Sequence, residues 1–315
     1  MQHWNSYWSK TKSLNSFAEG EHSQGYTGAI ADFWNTLFLT LPSKSVLLDL
    51  ATGNGGLAVL AQQSNANFDV VASDAASINP LALYSAEDSI YPTLKKIKFV
   101  AEMPSEALTF DDNQFDLVMS QFGFEYAQTV EALQQIFRVL KPEGRFIALV
   151  HHQNSFISTD CQHGLNVIER LMTSNGLFDQ LLDFARLCQS ITDKHNLNDQ
   201  QKAEFKQKNI NLLTLFKSLQ HDCSNEIELD WFNLLAKDLV PFIMNWQETN
   251  EAKVNKIQQN LYYFKLRLAD QLQAAWGIAN AEEIIKLVNL KGYTASCESF
   301  EISQGTLCWI LEVNL

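Results

Sequence analysis

Between residues 45 and 152, short apolar runs alternate with stretches of helix-forming residues. Segments 46–50, 68–73, 98–101, 115–120 and 145–151 read as five strands, with helices at 57–64 and 130–140 between them. Strands this rich in apolar residues are buried on both faces, so the pattern predicts a parallel sheet with helices on either side. Past His152 the alternation stops. Segment 156–276 holds no convincing strand, but its apolar residues recur at helical spacing. Val254, Ile257, Leu261, Phe264, Leu268, Leu272 and Trp276 would form one stripe along a helix of about 25 residues. Shorter stripes are Ile168-Leu171-Met172 and Leu212-Phe216-Leu219, and in the apolar stretch 231–246 Pro241 is expected to end or kink a helix. The α/β grammar then returns, with a helix over 281–290, closed by Gly292, and two strands over 293–302 and 306–313. Ser303-Gln304-Gly305 joins these strands as a hairpin. The expected fold is therefore α/β and Rossmann-like. It has a seven-stranded, mostly parallel sheet, a C-terminal β-hairpin, and an all-helical insertion between the fifth strand and the last helix. The expected divisions are an N-terminal helical cap (1–40), a core (41–155 with 281–315) and a helical subdomain (156–280).

The N-terminal segment carries Trp4, Tyr7, Trp8, Phe17, Tyr26, Phe33 and Trp34. Trp4, Tyr7 and Trp8 would share one helix face. That face either packs on the adjoining domain or forms a lid over a ligand.

The candidate chemistry starts at Val46-Leu-Leu-Asp-Leu-Ala-Thr-Gly-Asn-Gly-Gly-Leu-Ala58, a strand that ends in an acid and a glycine-rich turn. Glycine lets backbone approach a ligand closely because no Cβ intervenes. The form Asp-x-x-x-Gly-x-Gly, with Asp49, Gly53 and Gly55, points to a nucleotide-like ligand at the carboxyl end of a first strand. Gly53-x-Gly55-x-x-Ala58 also fits a dinucleotide fingerprint. Three features count against NAD. Asp49 would repel a pyrophosphate and suits a ligand that presents cations. The turn lacks the Gly-Lys-[Ser/Thr] ending of a phosphate clamp. The chain closes in a hairpin rather than a second βαβ half.

Composition narrows the partners. The 315 residues carry a net charge of −13, which disfavours a nucleic-acid partner because phosphate binding wants a basic face. No apolar run approaches the length of a membrane helix, and the N-terminus lacks the pattern of a signal peptide. Five widely spaced cysteines with no Cys-x-x-Cys pair read as free thiols of a reducing compartment, so the cytoplasm is the default location. A small-molecule substrate is expected.

The ordered motifs resemble the class I S-adenosylmethionine-dependent methyltransferases, and most closely the ubiquinone and menaquinone biosynthesis branch of the type 11 family. Leu48-Asp-Leu-Ala-Thr-Gly-Asn-Gly55 is similar to the first motif, and Val70-Val-Ala-Ser-Asp74 to the second. Ser105-Glu-Ala-Leu-Thr-Phe-Asp-Asp-Asn-Gln-Phe-Asp116 resembles the segment leading into strand four, and Ser120-Gln-Phe-Gly123 resembles the stretch at the far end of that strand. Phe137-Arg-Val-Leu-Lys-Pro-Glu-Gly-Arg145 resembles the turn before strand five. The likeness covers 45–152 by motif and 281–315 by architecture.

The resemblance implies S-adenosylmethionine as cofactor. In that reading Asp74 accepts from both ribose hydroxyls, and Ala75 lies beside the adenine edge. Ala51, Gly53 and Gly55 bring backbone to the methionine moiety, and Asp49 binds its amino group. Gln121 and Phe122 flank the reactive methyl. The family often has an acid just before the Ser105 position, but here that place is Pro104. Adenine would then be held by Glu102, by Ser105, or by packing alone.

Methyl transfer needs no protein nucleophile, and a base only if the acceptor carries a proton. Candidates are His151 and His152 at the end of strand five, with Glu125 and Tyr126 beyond strand four. Histidine suits the work by its near-neutral pKa. Each has a structural alternative: a backbone-bonded loop histidine, or a glutamate complementing a helix N-terminus. Asp111-Asp112 reads as turn chemistry, and no metal is assigned. The leading expectation is methyl transfer to a small organic acceptor, apolar or aromatic. Three alternatives are kept: a non-catalytic S-adenosylmethionine-binding regulator, a protein or RNA methyltransferase, and, most distant, a nicotinamide dehydrogenase. The helical insertion would be a substrate lid or a homodimer surface.

Overall fold

The computed structural model describes residues 1–16, 25–191 and 196–315. These divide into two compact units, Met1–Ser158 with Gln273–Leu315, and Thr159–Leu272.

In the first unit, α1 (Gln2–Trp8) and α2 (Gly28–Phe38) precede β1 (Val46–Leu50), α3 (Gly56–Ser64) and β2 (Asp69–Ser73). Two short helices, α4 (Pro80–Leu83) and α5 (Tyr91–Leu94), lead to β3 (Lys98–Val100). Then come β4 (Phe115–Gln121), α6 (Thr129–Val139) and β5 (Leu140–His151), after which α7 (Phe156–Leu171) runs into the second unit. The strand order is β3-β2-β1-β4-β5, all parallel, and it continues into two C-terminal strands that are antiparallel to β5 and to each other. Of these, β6 (Thr294–Ile302) is the edge and β7 (Gly305–Asn314) lies against β5. The seven-stranded sheet is thus the expected one.

The pleat sorts side chains between two cores. Leu48, Leu50, Val118, Ala148 and Val150 face one apolar cluster, together with Leu133 and Ile136 of α6. Leu47, Leu117, Met119, Ile147 and Leu149 face the other, against Trp34 and Phe38 of α2 and Leu57 of α3. Two residues further along β1, β4 and β5, the second face ends in Asp49, Gln121 and His151. Three polar side chains therefore stand at the carboxyl ends of three adjacent strands, on one face of the sheet.

β5 begins five residues before the expected Arg145, because Leu140 already pairs with Phe115. Its register against β4 shifts between Phe115 and Leu117, and Glu143 takes a φ of 66°, so the strand absorbs the expected turn as an irregularity.

The second unit is helical, formed by the rest of α7 with α8 (Leu177–Ser190), α9 (Asp199–His221), α10 (Glu226–Met244) and α11 (Glu251–Ala274). The predicted stripe lies on α11, where Val254, Leu261 and Leu268 are buried. Trp276 does not belong to it: the tryptophan falls after the helix, its amide donates to the His151 carbonyl (2.8 Å), and its ring joins the first unit's core. α10 runs through Pro241 to Met244. A proline this close to the helix end removes one donor without stopping the last turn. The chain returns to the first unit through α12 (Ile278–Leu290), with Gly292 in a left-handed conformation (φ 87°) just beyond it. No helix among the described residues is long and apolar enough to cross a membrane.

Candidate functional site

The chain turns sharply after β1, with left-handed backbone at Ala51 (φ 53°), Gly53 (φ 57°) and Gly55 (φ 95°). The glycines adopt this region freely, and Ala51 does so at a cost. Asp49 is only 1% exposed; its Oδ2 accepts from Thr52 Oγ1 (2.5 Å) and from the Ala58 amide of α3 (3.0 Å). Burial pushes the Asp49 carboxyl up to about 7; the two hydrogen bonds oppose this and nearby Asp74 adds to it. Asp74, just past β2, is also buried, and burial likewise raises its pKa. It accepts from the Gly53 amide at Oδ2 and from the Ala76 amide at Oδ1, each at 2.7 Å. Among the described residues neither acid has a cationic side-chain partner.

The N-terminal segment packs onto this turn. Asn54 is fully buried, and its amide donates to the carbonyls of Trp8 (3.3 Å), Thr11 (3.0 Å) and Ser13 (3.1 Å). The Trp8 ring lies so close to Gly53 that a methyl group there would sit 2.5 Å from it. Trp8 also packs on Ala76 and Ile78, with Trp4, Tyr7 and Phe99 around it. The Ser77 amide donates to Asn5 Oδ1 (3.0 Å), and the Tyr84 hydroxyl to the Lys12 carbonyl. The aromatic face of α1 thus rests on the loops that follow β1 and β2. Phe17 lies outside the described residues.

A third loop comes alongside by backbone pairing. Met103 donates to the Asp74 carbonyl (2.9 Å) and Glu102 to that of Ala76 (3.1 Å). This brings 102–105 beside 74–76, with Ser105 buried, Ala75 half-buried, and Pro104 and the Glu102 side chain exposed. Arg138 of α6 braces the next stretch by donating to the carbonyls of Leu108 and Phe110 (2.7 Å each) and to Asp112 Oδ1 (2.8 Å). Asp112 is therefore an ion-pair partner, where turn chemistry alone was expected.

At the ends of β4 and β5, Gln121 Oε1 accepts from Trp34 Nε1 (2.6 Å). Phe122, with a φ of 55°, lays its ring flat on that of His151, 4.3 Å between centroids. Glu125 Oε1 accepts from the His151 amide (2.8 Å) and lies 4.0 Å from His151 Nε2. Burial shifts the two groups in opposite directions. It lifts Glu125 to about 7 against three opposing backbone hydrogen bonds, and it lowers His151 to about 3. The near-neutral titration expected of the histidine therefore belongs to the glutamate. Tyr26 has its hydroxyl pKa raised by burial first, then by the Asp49 and Glu125 carboxylates. Tyr126 stands edge-on to His151, 6.3 Å between centroids. His152 is not part of this group: strand alternation turns it to the other face. There it stacks on Trp309 (4.5 Å), and its Nδ1 accepts from the Asn154 amide (2.9 Å).

Residues 48–148 match the family model described as a methyltransferase domain. By that match they are a methyltransferase domain. The strand order and the two acid-terminated strands flanking a glycine turn are the structural counterpart of that match. The domain is 36% identical over 104 residues to a demethylmenaquinone methyltransferase of Thermus thermophilus, covering 33% of this chain and 46% of that protein. It is 34% identical over 120 residues to the ubiquinone/menaquinone biosynthesis C-methyltransferase UbiE of Rickettsia typhi, covering 36% and 48%. The chain spans just under half the length of these relatives. A solved S-adenosylmethionine-dependent methyltransferase from Aquifex aeolicus aligns with 48% of this chain and 74% of its own, at 17% identity and a TM-score of 0.37.

Three residues of the methyltransferase domain's surroundings carry no signal in the sequence. Asn54 looks like a loop residue between glycines, Trp34 like one more core aromatic, and Tyr26 like a member of the N-terminal aromatic set. Their roles depend on partners 41 to 87 positions away, or on two carboxylates brought together by the sheet.

Proposed function

We propose that the protein transfers a methyl group from S-adenosylmethionine to a small organic acceptor. The observation that carries this reading is the pair Asp49 and Asp74: buried acids at the ends of adjacent strands, on one glycine turn, with no cationic side-chain partner among the described residues. Burial disfavours the charged form of Asp49, and a positive partner would restore it. The cofactor's amino group is such a partner, and its sulfonium adds a second positive charge nearby. A carboxylate has about four acceptor positions, and Asp74 uses two on amides, leaving two for a ribose diol. The residues present therefore fit the group.

Asp49 would hold the amino group, Asp74 the ribose, and the backbone of Ala51, Gly53 and Gly55 the methionine moiety. Ala75 and Ser105 would border adenine, with Glu102 kept outside because its side chain is exposed. Gln121 and Phe122 would flank the methyl. When bound, the cofactor supplies an electrophilic methyl group, and the protein's work is to position it and exclude water. The names of the relatives favour an apolar or aromatic acceptor of quinone type for this chain as well.

Calorimetry with S-adenosylmethionine, S-adenosylhomocysteine and NAD tests the reading. Binding of both sulfur ligands and not NAD is expected, with Asp74→Ala weakening it at least tenfold, the loss of one or two charge-assisted bonds at about 1.5–3 kcal/mol each. NAD binding without either sulfur ligand would sink it. Tight cofactor binding with no labelled product from any metabolite extract would favour the regulatory alternative.

A further inference from the structure

Three polar atoms beside the proposed methyl position have no hydrogen-bond partner among the described residues: Gln121 Nε2, Glu125 Oε2 and His151 Nδ1. All are buried, their residues being only 6%, 6% and 4% exposed. Native interiors satisfy nearly all such atoms, so three in one neighbourhood call for a ligand or water that supplies the missing bonds. They are neighbours by construction. Gln121 and His151 share one face on paired strands, with Gln121 opposite Leu149. Glu125 is tied to the His151 amide, and Phe122 is stacked on its ring.

We propose that Gln121, Glu125 and His151 form the subsite for the acceptor's reacting polar group, and that Glu125 is the catalytic residue that takes its proton. This rests on the methyl-transfer reading above. The inner oxygen, Oε1, is occupied by the His151 amide, which leaves Oε2 to face the acceptor. The Gln121 amide is held at its oxygen by Trp34, so its nitrogen is presented as a donor to the acceptor atom. His151 stays neutral and positions rather than titrates. Its ring is stacked on that of Phe122 and meets that of Tyr126 edge-on.

In the step, Glu125 Oε2 binds the proton of an acceptor O–H or N–H. The electron pair so released, on that atom or on a carbon conjugated with it, forms the new bond to the methyl carbon. The carbon–sulfur bond breaks and its pair stays on sulfur. The products are methylated acceptor, S-adenosylhomocysteine and protonated Glu125, which loses its proton to solvent after release. Among the described residues, the titratable groups shown to interact with Glu125 are His151 on β5, Tyr26 ahead of α2 and Cys308 on β7; Tyr26 also interacts with Asp49. None of these is a cation at neutral pH, so in the ligand-free fold none of them returns the carboxyl to the ordinary acid range.

The test uses the whole chain with methyl-labelled S-adenosylmethionine and aromatic probes matched for a ring hydroxyl: 1-naphthol, catechol and hydroquinone against naphthalene and benzene. Label is expected only in the hydroxylated probes. At saturating S-adenosylmethionine, where Asp49 is already engaged, kcat/KM for the probe should climb about tenfold per pH unit below the Glu125 pKa, about 7 in the ligand-free fold, and level off above it. Glu125→Gln should lower kcat roughly 10²–10⁴-fold and flatten that profile, while S-adenosylhomocysteine affinity stays within about twofold. Glu125→Asp should recover part of the loss. Wild-type turnover or an unchanged pH profile in Glu125→Gln would overturn the proposal. So would S-adenosylhomocysteine binding with no hydroxylated probe labelled, which leaves the cofactor reading standing. If neither sulfur ligand binds, both fall. Should Glu125→Gln not fold, the wild-type profile decides, and a flat one overturns the role.

Discussion

Asp49 shows how one buried side chain ties stability to function. It and Glu125 carry pKa values of about 7, against ordinary values of 3.8 and 4.5, because burial disfavours their charged forms. Between those limits these two carboxyls keep protons that they lose in the unfolded chain, while His151, lowered to about 3, works the other way for one proton below about 6.5. Stability should therefore fall as pH rises through that window and level off above about 7. Thermal melts of the ligand-free protein from about pH 5 to 8 should show this slope. Asn cannot ionise, so Asp49→Asn should shallow the slope and raise the melting temperature above neutrality. The same substitution should weaken S-adenosylmethionine binding roughly 10–100-fold, as expected for losing a charge-assisted bond. A variant with an unchanged slope would show that Asp49 is already ionised in the ligand-free fold.

At the scale of elements, the Asn54 side-chain amide makes three of the hydrogen bonds that tie the strap of α1 and residues 9–13 to the domain, beside those of Asn5 with Ser77 and Lys12 with Tyr84. Asn54 meets three carbonyls of that strap, and Asn54→Ala would leave them without their donor. A loss of about 1–3 kcal/mol is expected, with faster amide exchange confined to α1 and the residues after it. Exchange that rises evenly over the sheet would instead place the strap in the global unfolding unit. Gly53→Ala acts on the same contact from the other side. It forces a side chain into left-handed backbone and into the Trp8 ring, at about 1–2 kcal/mol for the conformation alone. Because Trp8 lies on the turn assigned to the cofactor, S-adenosylhomocysteine should change the protein's tryptophan fluorescence, and Trp8→Phe should remove most of that change. The Trp4, Tyr7, Trp8 face is legible as a helical stripe. The surface it meets is not, because the loops after β1 and β2 reach it only through the fold.

For the molecule as a whole, the chain divides into two compact units, and the assigned cofactor residues lie in the first of them. Saturation with S-adenosylhomocysteine should therefore slow amide exchange at 50–59, 73–78 and 102–105, where backbone lines the turn and its neighbouring loops. Protection that extends to α9 or α10 would report a lid role for the helical unit, and protection only there would refute the assigned site.

The fold was readable from the chain because its signals are local. Apolar runs that alternate with helical stretches specify a parallel sheet, the glycines after Asp49 specify a sharp turn, and Ser303-Gln304-Gly305 specifies a hairpin. The regular α11 stripe marks the helical unit in the same way. What tertiary structure alone decided was which polar groups share an environment. Adjacent histidines on one strand must point oppositely, yet only the assembled sheet shows that His151 faces Glu125 while His152 stacks on Trp309. Their protonation follows from desolvation, which sums over neighbours far apart in sequence. Burial therefore moved the near-neutral pKa from the histidine, where residue type alone would place it, to the glutamate.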